Sequence, residues 1–256
     1  MKKIIIANWK MHPDTPEAAS ALASAIEKEL PQSLGADVVI APPSPFLIPV
    51  AAVLKKSLLA AQDMAGDADA ALTGGVSWRA LQSLHVRFVI IGHSERRMYV
   101  GETDAMVNQK IRTALTHGFS AILCVGEQEA GVADIPPVVS EQVRSALTGV
   151  KKESLKNLIV AYEPVWAIST TAKGAGADTP ERMFRARLTI EKAIADMYDQ
   201  VTAKKVRIIY GGSVCTDNIT LIIGEGRMDG ALVGGASLDA REFGVIVHCA
   251  AEITRK

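Results

Sequence analysis

Eight short apolar runs, rich in valine, isoleucine and leucine, recur along the chain with helical segments between them. Each run is nearly continuous, which is typical of strands in a parallel sheet that helices cover on its outer faces. The runs are KIIIA from Lys3, DVVIA from Asp37, SLLAA from Ser57, RFVIIG from Arg87, SAILCVG from Ser120, NLIVAY from Asn157, VRIIYGG from Val206 and GALVGG from Gly230.

The segments between the runs have the spacing and start signals of helices. In TPEAASALASAIEKEL, Thr15 can cap the helix and Pro16 can open its first turn. Strict alternation of strand and helix, without a linker or low-complexity tract, predicts one α/β domain over residues 1–256. A closed (β/α)8 barrel and a doubly wound open sheet both fit this alternation. Eight repeats favour the closed barrel with eight parallel strands.

Composition narrows the class of partner. The chain has 28 basic and 28 acidic residues, so no strong field is expected to attract nucleic acid or an anionic membrane. Five scattered histidines, none four residues from another, predict no metal site. A small-molecule partner is therefore expected, with no nucleic acid and no membrane.

Cysteine usage and the first residues indicate the compartment. Cys124, Cys215 and Cys249 lack a paired spacing, and so few cysteines are typical of a reducing environment. The apolar run IIIA near the start is far shorter than the core of a signal peptide. We therefore expect a soluble, cytoplasmic protein.

Polar residues and glycines follow most of the predicted strands. In a barrel, all of these positions lie on one rim, so residues far apart in sequence are predicted to form one site. They are Asn8 and Lys10 after the first strand, His93 and Glu95 after the fourth, Glu127 after the fifth, Glu163 after the sixth, and the pairs Gly211–Gly212 and Gly234–Gly235 after the last two.

Two of these residues suggest proton chemistry. Glu163 precedes Pro164, which holds its neighbour extended and fixes the direction of the carboxylate, as a base that removes a carbon-bound proton requires. His93 opens HSERR, a predicted helix start, where the positive end of the helix dipole disfavours a charged imidazolium. Each residue alone is more often structural, as a loop acid or a core histidine.

The remaining rim residues suggest anion binding. Lys10 in NWK could stabilise an alkoxide-like oxygen, and backbone N–H groups at the glycine pairs could bind phosphate. Cys124 lies within its strand, where a small buried residue is the ordinary interpretation. Glu95 and Glu127 are expected to support the site by pairing with arginines such as Arg96 or Arg97.

Six motifs spread over the chain resemble the triosephosphate isomerase family. In order they are NWKM at Asn8 to Met11, GHSERR at Gly92 to Arg97, CVGE at Cys124 to Glu127, AYEPVWAI at Ala161 to Ile168, YGGSV at Tyr210 to Val214 and GGASL at Gly234 to Leu238. The resemblance implies a TIM barrel and the interconversion of dihydroxyacetone phosphate and D-glyceraldehyde 3-phosphate in glycolysis and gluconeogenesis, without cofactor or metal.

The resemblance also implies roles for individual residues. Glu163 would be the base, and neutral His93 would polarise the carbonyl. Lys10 and Asn8 would stabilise the oxyanion and hold substrate, with Glu95 beside them and Cys124 behind. The phosphate would be held by backbone N–H groups at Ser169, Ser213, Gly234 and Gly235.

Three features depart from the family pattern. The predicted lid has ten residues, Ser169 to Asp178, where the family usually has six, and Pro164 to Trp166 would form its first hinge. His12 takes a place often held by asparagine. Gly75 stands where an acid is common, in a loop that normally enters a second subunit, yet a homodimer is still expected.

Two other functions remain open from the residues alone. A Schiff-base aldolase on the same fold would need a lysine where the sixth strand ends in Glu163. A barrel that binds phosphosugars without catalysis would need only the phosphate contacts.

Overall fold

The computed structural model describes residues 2–66, 71–129, 135–168 and 178–253. Eight parallel strands close into a barrel in which each strand pairs with the next and the last pairs with the first, so the predicted closed barrel is confirmed. The strands are β1 Lys3–Asn8, β2 Ala36–Ala41, β3 Leu58–Ala61, β4 Phe88–Ile91, β5 Ser120–Val125, β6 Leu158–Tyr162, β7 Arg207–Tyr210 and β8 Gly230–Val233.

Helices surround the barrel. Those in the described part of the chain are α1 Pro16–Glu29, α2 Leu47–Ala51, α3 Trp78–Ser83, α4 Ser94–Val100, α5 Asp104–Thr116, α6 Pro137–Leu147, α7 Pro180–Met197, α8 Gln200–Ala203, α9 Ile219–Gly224 and α10 Ala240–Ile253. Short 3-10 turns at Val165–Ala167 and Gly235–Leu238 follow β6 and β8. None of the described helices is long and apolar enough to cross a membrane.

Two hydrophobic layers explain why the strand sequences look continuous. In β1, Ile4 and Ile6 point into the barrel and pack with Phe88 and Ile90, while Ile5 belongs to the layer between the barrel and the helices. The buried apolar residues of the strands thus pack into one of two layers, inside the barrel or under the helices, which explains the continuous apolar runs.

Capping fixes where the chain leaves a strand and starts a helix. Thr15 Oγ1 accepts a hydrogen bond from the N–H of Ala18 at 3.2 Å, and Pro16 occupies the first turn of α1, as predicted. Thr179 caps α7 in the same way by accepting from the N–H of Arg182. His93 is the N-cap of α4, so the predicted helix start in HSERR is also confirmed.

Candidate active site

A cavity of about 300 Å³ lies at the rim formed by the carboxyl ends of the strands. Loops that follow β1, β4, β6, β7 and β8 contribute to it, so sequence positions more than 200 residues apart converge. Its lining includes Asn8, Lys10, His93, Ile168, Gly211, Gly212, Ser213, Gly234 and Gly235. A larger cavity of about 530 Å³ lies where β3, β4 and β5 begin, and the described residues that line it include none of the predicted site residues.

Lys10 adopts an unusual backbone conformation at this rim. Its φ is +53°, in the left-handed region, which costs on the order of 1–3 kcal/mol for a residue other than glycine. Two hydrogen bonds hold it there: Asn8 Oδ1 accepts from its N–H at 3.1 Å, and Gln62 Nε2 donates to its carbonyl at 2.8 Å. The Nζ atom lies 2.5 Å from Glu95 Oε1. The ammonium group is therefore held at the edge of the cavity.

The hydrogen bonds of His93 define its tautomer. Its Nδ1 accepts a hydrogen bond from the N–H of Glu95 at 3.2 Å, so Nδ1 carries no proton and Nε2 carries the single ring proton. The same N–H would repel a protonated Nδ1. The ring is thus neutral in this arrangement, and its Nε2 lies 3.5 Å from Glu163 Oε1.

Glu163 is buried beside the cavity. Only 1% of the residue is exposed, and Oε2 accepts a hydrogen bond from the N–H of Ser94 at 3.1 Å. Its Oε1 has no hydrogen-bond partner within the described part of the chain. A Cβ atom at Gly211 would lie 2.7 Å from Glu163 Cγ, so only glycine at that position leaves room for the acid.

Cys124 lies beside Glu163. Both residues line a small cavity of about 30 Å³ that also includes Ser94. Burial, followed by the negative charge of Glu163, raises the pKa of the Cys124 thiol well above its ordinary value. The thiol stays protonated and is unsuited to act as a nucleophile.

The predicted phosphate-binding residues Ser213, Gly234 and Gly235 all line the rim cavity. A Cβ atom at Gly234 would lie 3.7 Å from Lys10 Cε, so Gly234 is close to Lys10. Gly235 starts the turn Gly235–Leu238, and nothing lies within 4 Å of the place where a Cβ would be. The N–H of Ser213 donates to the carbonyl of Ala167 at 3.0 Å. Ser169, like residues 170–177 of the predicted lid, lies outside the described residues.

Glu127 has a different partner from the one expected. Its Oε1 accepts from Tyr162 at 2.9 Å, from Trp166 Nε1 at 3.1 Å and from Arg182 Nη2 at 2.7 Å. The expectation that it pairs with Arg96 or Arg97 was wrong. Those arginines bind Asp63 and Asp104, which lie nearer to them on the rim.

Several residues that shape the site were missed from the sequence. Gln62, Ser94, Arg182 and Tyr210 each hold a site residue or its neighbour by a hydrogen bond. Gln62 could have been found, because it directly follows β3 as the other rim residues follow their strands. Among the described residues, no group of three or more His, Cys, Asp and Glu side chains is arranged to hold a metal ion.

Comparison with known proteins identifies the family. The family model described as Triosephosphate isomerase matches residues 3–250. Curated proteins named triosephosphate isomerase are similar over nearly their whole length. The protein of Thermoanaerobacter pseudethanolicus is 44% identical, with 96% of this chain and 99% of the relative covered. That of Chlorobium phaeobacteroides is 42% identical, covering 97% and 99%, and that of Dictyoglomus thermophilum is 41% identical, covering 96% and 98%. The chain belongs to the triosephosphate isomerase family.

Proposed function

We propose that the protein interconverts dihydroxyacetone phosphate and D-glyceraldehyde 3-phosphate in the 300 Å³ rim cavity, with Glu163 as the base. One observation carries this assignment: the neutral His93 lines the cavity and also faces the Glu163 carboxylate, with Nε2 and Oε1 3.5 Å apart. An acceptor and a donor for protons therefore stand side by side at the place where a substrate would bind.

The chemistry requires both groups. Glu163 takes a proton from the carbon next to the carbonyl and returns it to the carbonyl carbon, while the hydroxyl proton passes to the former carbonyl oxygen, so the carbonyl moves to the neighbouring carbon. The intermediate enediolate carries negative charge that water stabilises too weakly for a carboxylate to generate it quickly. Fixed donors supply that stabilisation: His93 Nε2–H to the enediolate oxygens, and Lys10 with Asn8 to the developing oxyanion. Only protons move, so the reaction needs no cofactor.

The base has to move before it can act. The carboxylate of Glu163 accepts a hydrogen bond from the Ser94 N–H and lines the small 30 Å³ cavity, not the rim cavity. Turning its carboxylate away from the Ser94 N–H, past the open side left by Gly211, brings it toward the substrate carbon. The hydrogen bond from Ser94 thus holds the carboxylate in an inactive position, and in this proposal substrate binding moves it toward the reacting carbon.

Phosphate binding also involves an exchange of partners. Backbone N–H groups of Ser213, Gly234 and Gly235 bind the phosphate in this proposal, together with Ser169. The Ser213 N–H donates to Ala167, and a phosphate oxygen replaces that carbonyl when substrate binds. The turn that contains Ala167 begins two residues after Glu163, so phosphate binding and movement of the base are coupled.

The cellular setting follows from this reaction. Triose phosphates are intermediates of glycolysis and gluconeogenesis, so we place the protein in the cytoplasm. We also propose a homodimer, because exposed apolar side chains cluster on the loops and helices that follow four neighbouring strands, β1 to β4. They are Met11, Ile48, Leu72, Met98, Tyr99 and Val100.

An isomerisation assay in deuterated water tests the function. The protein should convert one triose phosphate into the other and introduce solvent deuterium at the reacting carbon. A phosphosugar-binding barrel without catalysis would leave the substrate unlabelled. Borohydride trapping should give no covalent adduct, whereas a Schiff-base aldolase would be labelled on a lysine.

A further inference from the structure

Arg182, in the first turn of α7, lies between two buried carboxylates. Its Nη2 is 2.7 Å from Glu127 Oε1, and its Nε is 3.7 Å from Asp178 Oδ2. Only 1% of the Asp178 side chain and 3% of the Glu127 side chain is exposed. Buried carboxylates are costly without a cation, so the guanidinium is what allows both acids to lie here.

Each carboxylate belongs to a different part of the rim. Glu127 follows β5 and accepts from Trp166 Nε1, while the ring of Trp166 lies 5.6 Å from the Arg182 guanidinium carbon. Asp178 precedes α7, and its N–H donates to Tyr210 Oη, at the end of β7, at 3.3 Å. Trp166 and Asp178 flank residues 169–177 along the chain. Through Glu127 and Asp178, Arg182 therefore connects a residue just before that segment with the residue just after it.

We propose that Arg182 is a positioning residue for the isomerisation, which sets the turn after the base by binding Glu127 and Asp178 together. The inference rests on the proposed function, because it assigns a role relative to Glu163. Arg182 itself does not reach the rim cavity and touches no reacting atom in this proposal.

Backbone contacts carry the effect from Arg182 to the site. The carbonyl of Glu127 accepts from the N–H of Val165 at 3.0 Å, and the Ala167 carbonyl accepts from Ser213. The turn Val165–Ala167 is thus fastened to Glu127 by its backbone and by the Trp166 side chain. If the Glu127 carboxylate shifts, both the peptide after Glu163 and the partner of the Ser213 N–H shift with it.

If Arg182 acts through its charge, its effect on activity should depend on pH, and packing alone would not produce that dependence. Asp178 faces Arg182 in α7, Glu127 after β5, Tyr162 in β6 and Tyr210 in β7. Among the described residues these two acids share the Arg182 cation, and loss of that cation leaves two buried negative charges. Protonation of one acid would relieve them. Burial, opposed by the hydrogen bond from Thr179 and by Arg182, raises the pKa of Asp178 to about 6, so protonation of Asp178 can relieve this repulsion.

Steady-state kinetics of Arg182→Met, with Asp178→Asn and the double variant, test the role. Arg182→Met should lower kcat/KM at least about tenfold at pH 8, and the loss relative to wild type should shrink as pH falls from 8 toward 6, because loss of the cation raises the pKa of Asp178 further. Asp178→Asn in the same chain should recover at least about threefold at pH 8, because it removes one of the two unpaired charges. Arg185→Met is the matched control: Arg185 lies on the same helix, pairs with Glu181 and is 44% exposed, so kcat/KM should stay within about twofold.

Three results would overturn the proposal. One is wild-type kcat/KM in Arg182→Met, and another is a loss that is equal at every pH and unrelieved by Asp178→Asn, which would mark a purely structural arginine. If Arg182→Met does not fold, Arg182→Lys takes its place, because it keeps the charge but cannot reach both acids with a planar fork. It should lose at least about threefold, and unchanged kinetics would be the third contrary result. An inactive wild type would instead contradict the proposed function.

Discussion

The Nε2 atom of His93 lies 3.5 Å from Oε1 of Glu163. The first residue comes from the start of α4 and the second from the end of β6, 70 positions later. Because Nδ1 of His93 accepts the N–H of Glu95, the ring must present its proton at Nε2. A carboxylate that can take a proton therefore lies next to an uncharged donor at the edge of the cavity, and that donor can stabilise the resulting enediolate.

This tautomer is directly measurable. In ¹⁵N NMR of the ring nitrogens, His93 should show a proton on Nε2 and none on Nδ1 at pH 7. The reason is that the backbone N–H of Glu95 occupies the Nδ1 lone pair at 3.2 Å. A proton on Nδ1 would require that contact to break, and its detection would refute the role of donor assigned to Nε2.

Gln62 supports the conformation of Lys10, so its loss should affect substrate binding. Gln62→Leu removes the donor to the carbonyls of Lys10 and Ala41 while keeping a side chain of similar size. The left-handed backbone of Lys10 then loses one of the hydrogen bonds that hold it. We expect kcat/KM to fall by about tenfold, equivalent to about 1.4 kcal/mol.

Gln82→Leu provides the control for this change. Gln82 is an exposed glutamine of α3, at the end of the barrel away from the rim cavity. Its replacement should leave kcat/KM unchanged. If Gln62→Leu matches this control, the conformation of Lys10 does not depend on Gln62.

Asp178 should make stability depend on pH in an unusual direction. Burial raises its pKa from 3.8 to about 6 in the folded state, so the folded protein holds this proton more tightly than the unfolded chain does. The contribution of Asp178 to stability is therefore fully present below about pH 4 and is lost as pH rises through about 6. At about 1.4 kcal/mol per pKa unit, the loss is about 3 kcal/mol.

Urea unfolding of wild type and Asp178→Asn at fixed protein concentration tests this. Asparagine does not titrate, so the difference in unfolding free energy between variant and wild type should shift in favour of the variant by about 2 kcal/mol between pH 4 and pH 7. A difference that is constant with pH would show that Asp178 keeps its ordinary pKa.

The proposed homodimer rests on exposed apolar side chains near the rim. Met11 is 85% exposed and Tyr99 is 70% exposed, both far more than a large apolar side chain normally is without a partner. Sedimentation should give about twice the chain mass of 27.2 kDa. Tyr99→Glu should shift the protein toward monomer, because a charge would be buried at the interface. A wild-type protein that sediments as a monomer at micromolar concentration would refute the dimer.

The length of the predicted lid also leads to a prediction. If the residues beyond the usual six are slack, loop-closure entropy costs only about 0.5 kcal/mol. Deleting Ala172 to Ala175 should then leave kcat/KM within about tenfold. A much larger loss would mean that these residues make specific contacts with the substrate-bound protein.

Much of the fold follows from the sequence because its signals are local. Each apolar run became a strand, and Thr15 and Pro16 begin a helix as their side chains predict. Closure of the barrel follows from the number of repeats. The position of the rim residues then follows from the parallel direction of the strands, which is why Lys10, His93 and Gly234 meet at one cavity.

The parts that could not be predicted depend on contacts between elements that are distant in the sequence. The choice of Arg182 rather than Arg97 as the partner of Glu127 is set by where α7 packs, 55 residues along the chain. The bond from Ser213 to Ala167 depends on the path of two loops, and no residue type signals it. Such contacts decide the resting positions of catalytic groups, while the sequence motifs only indicate which groups are present.

The most direct test of the account is the turnover of Glu163→Gln in the isomerisation assay. Glutamine keeps the size of the side chain and can still accept a hydrogen bond from the Ser94 N–H, but it cannot accept the proton from substrate, so kcat should fall at least about a hundredfold. Glu181→Gln, an exposed glutamate of α7, should retain wild-type kcat as the matched control. Wild-type turnover in Glu163→Gln would contradict the assignment of Glu163 as the base.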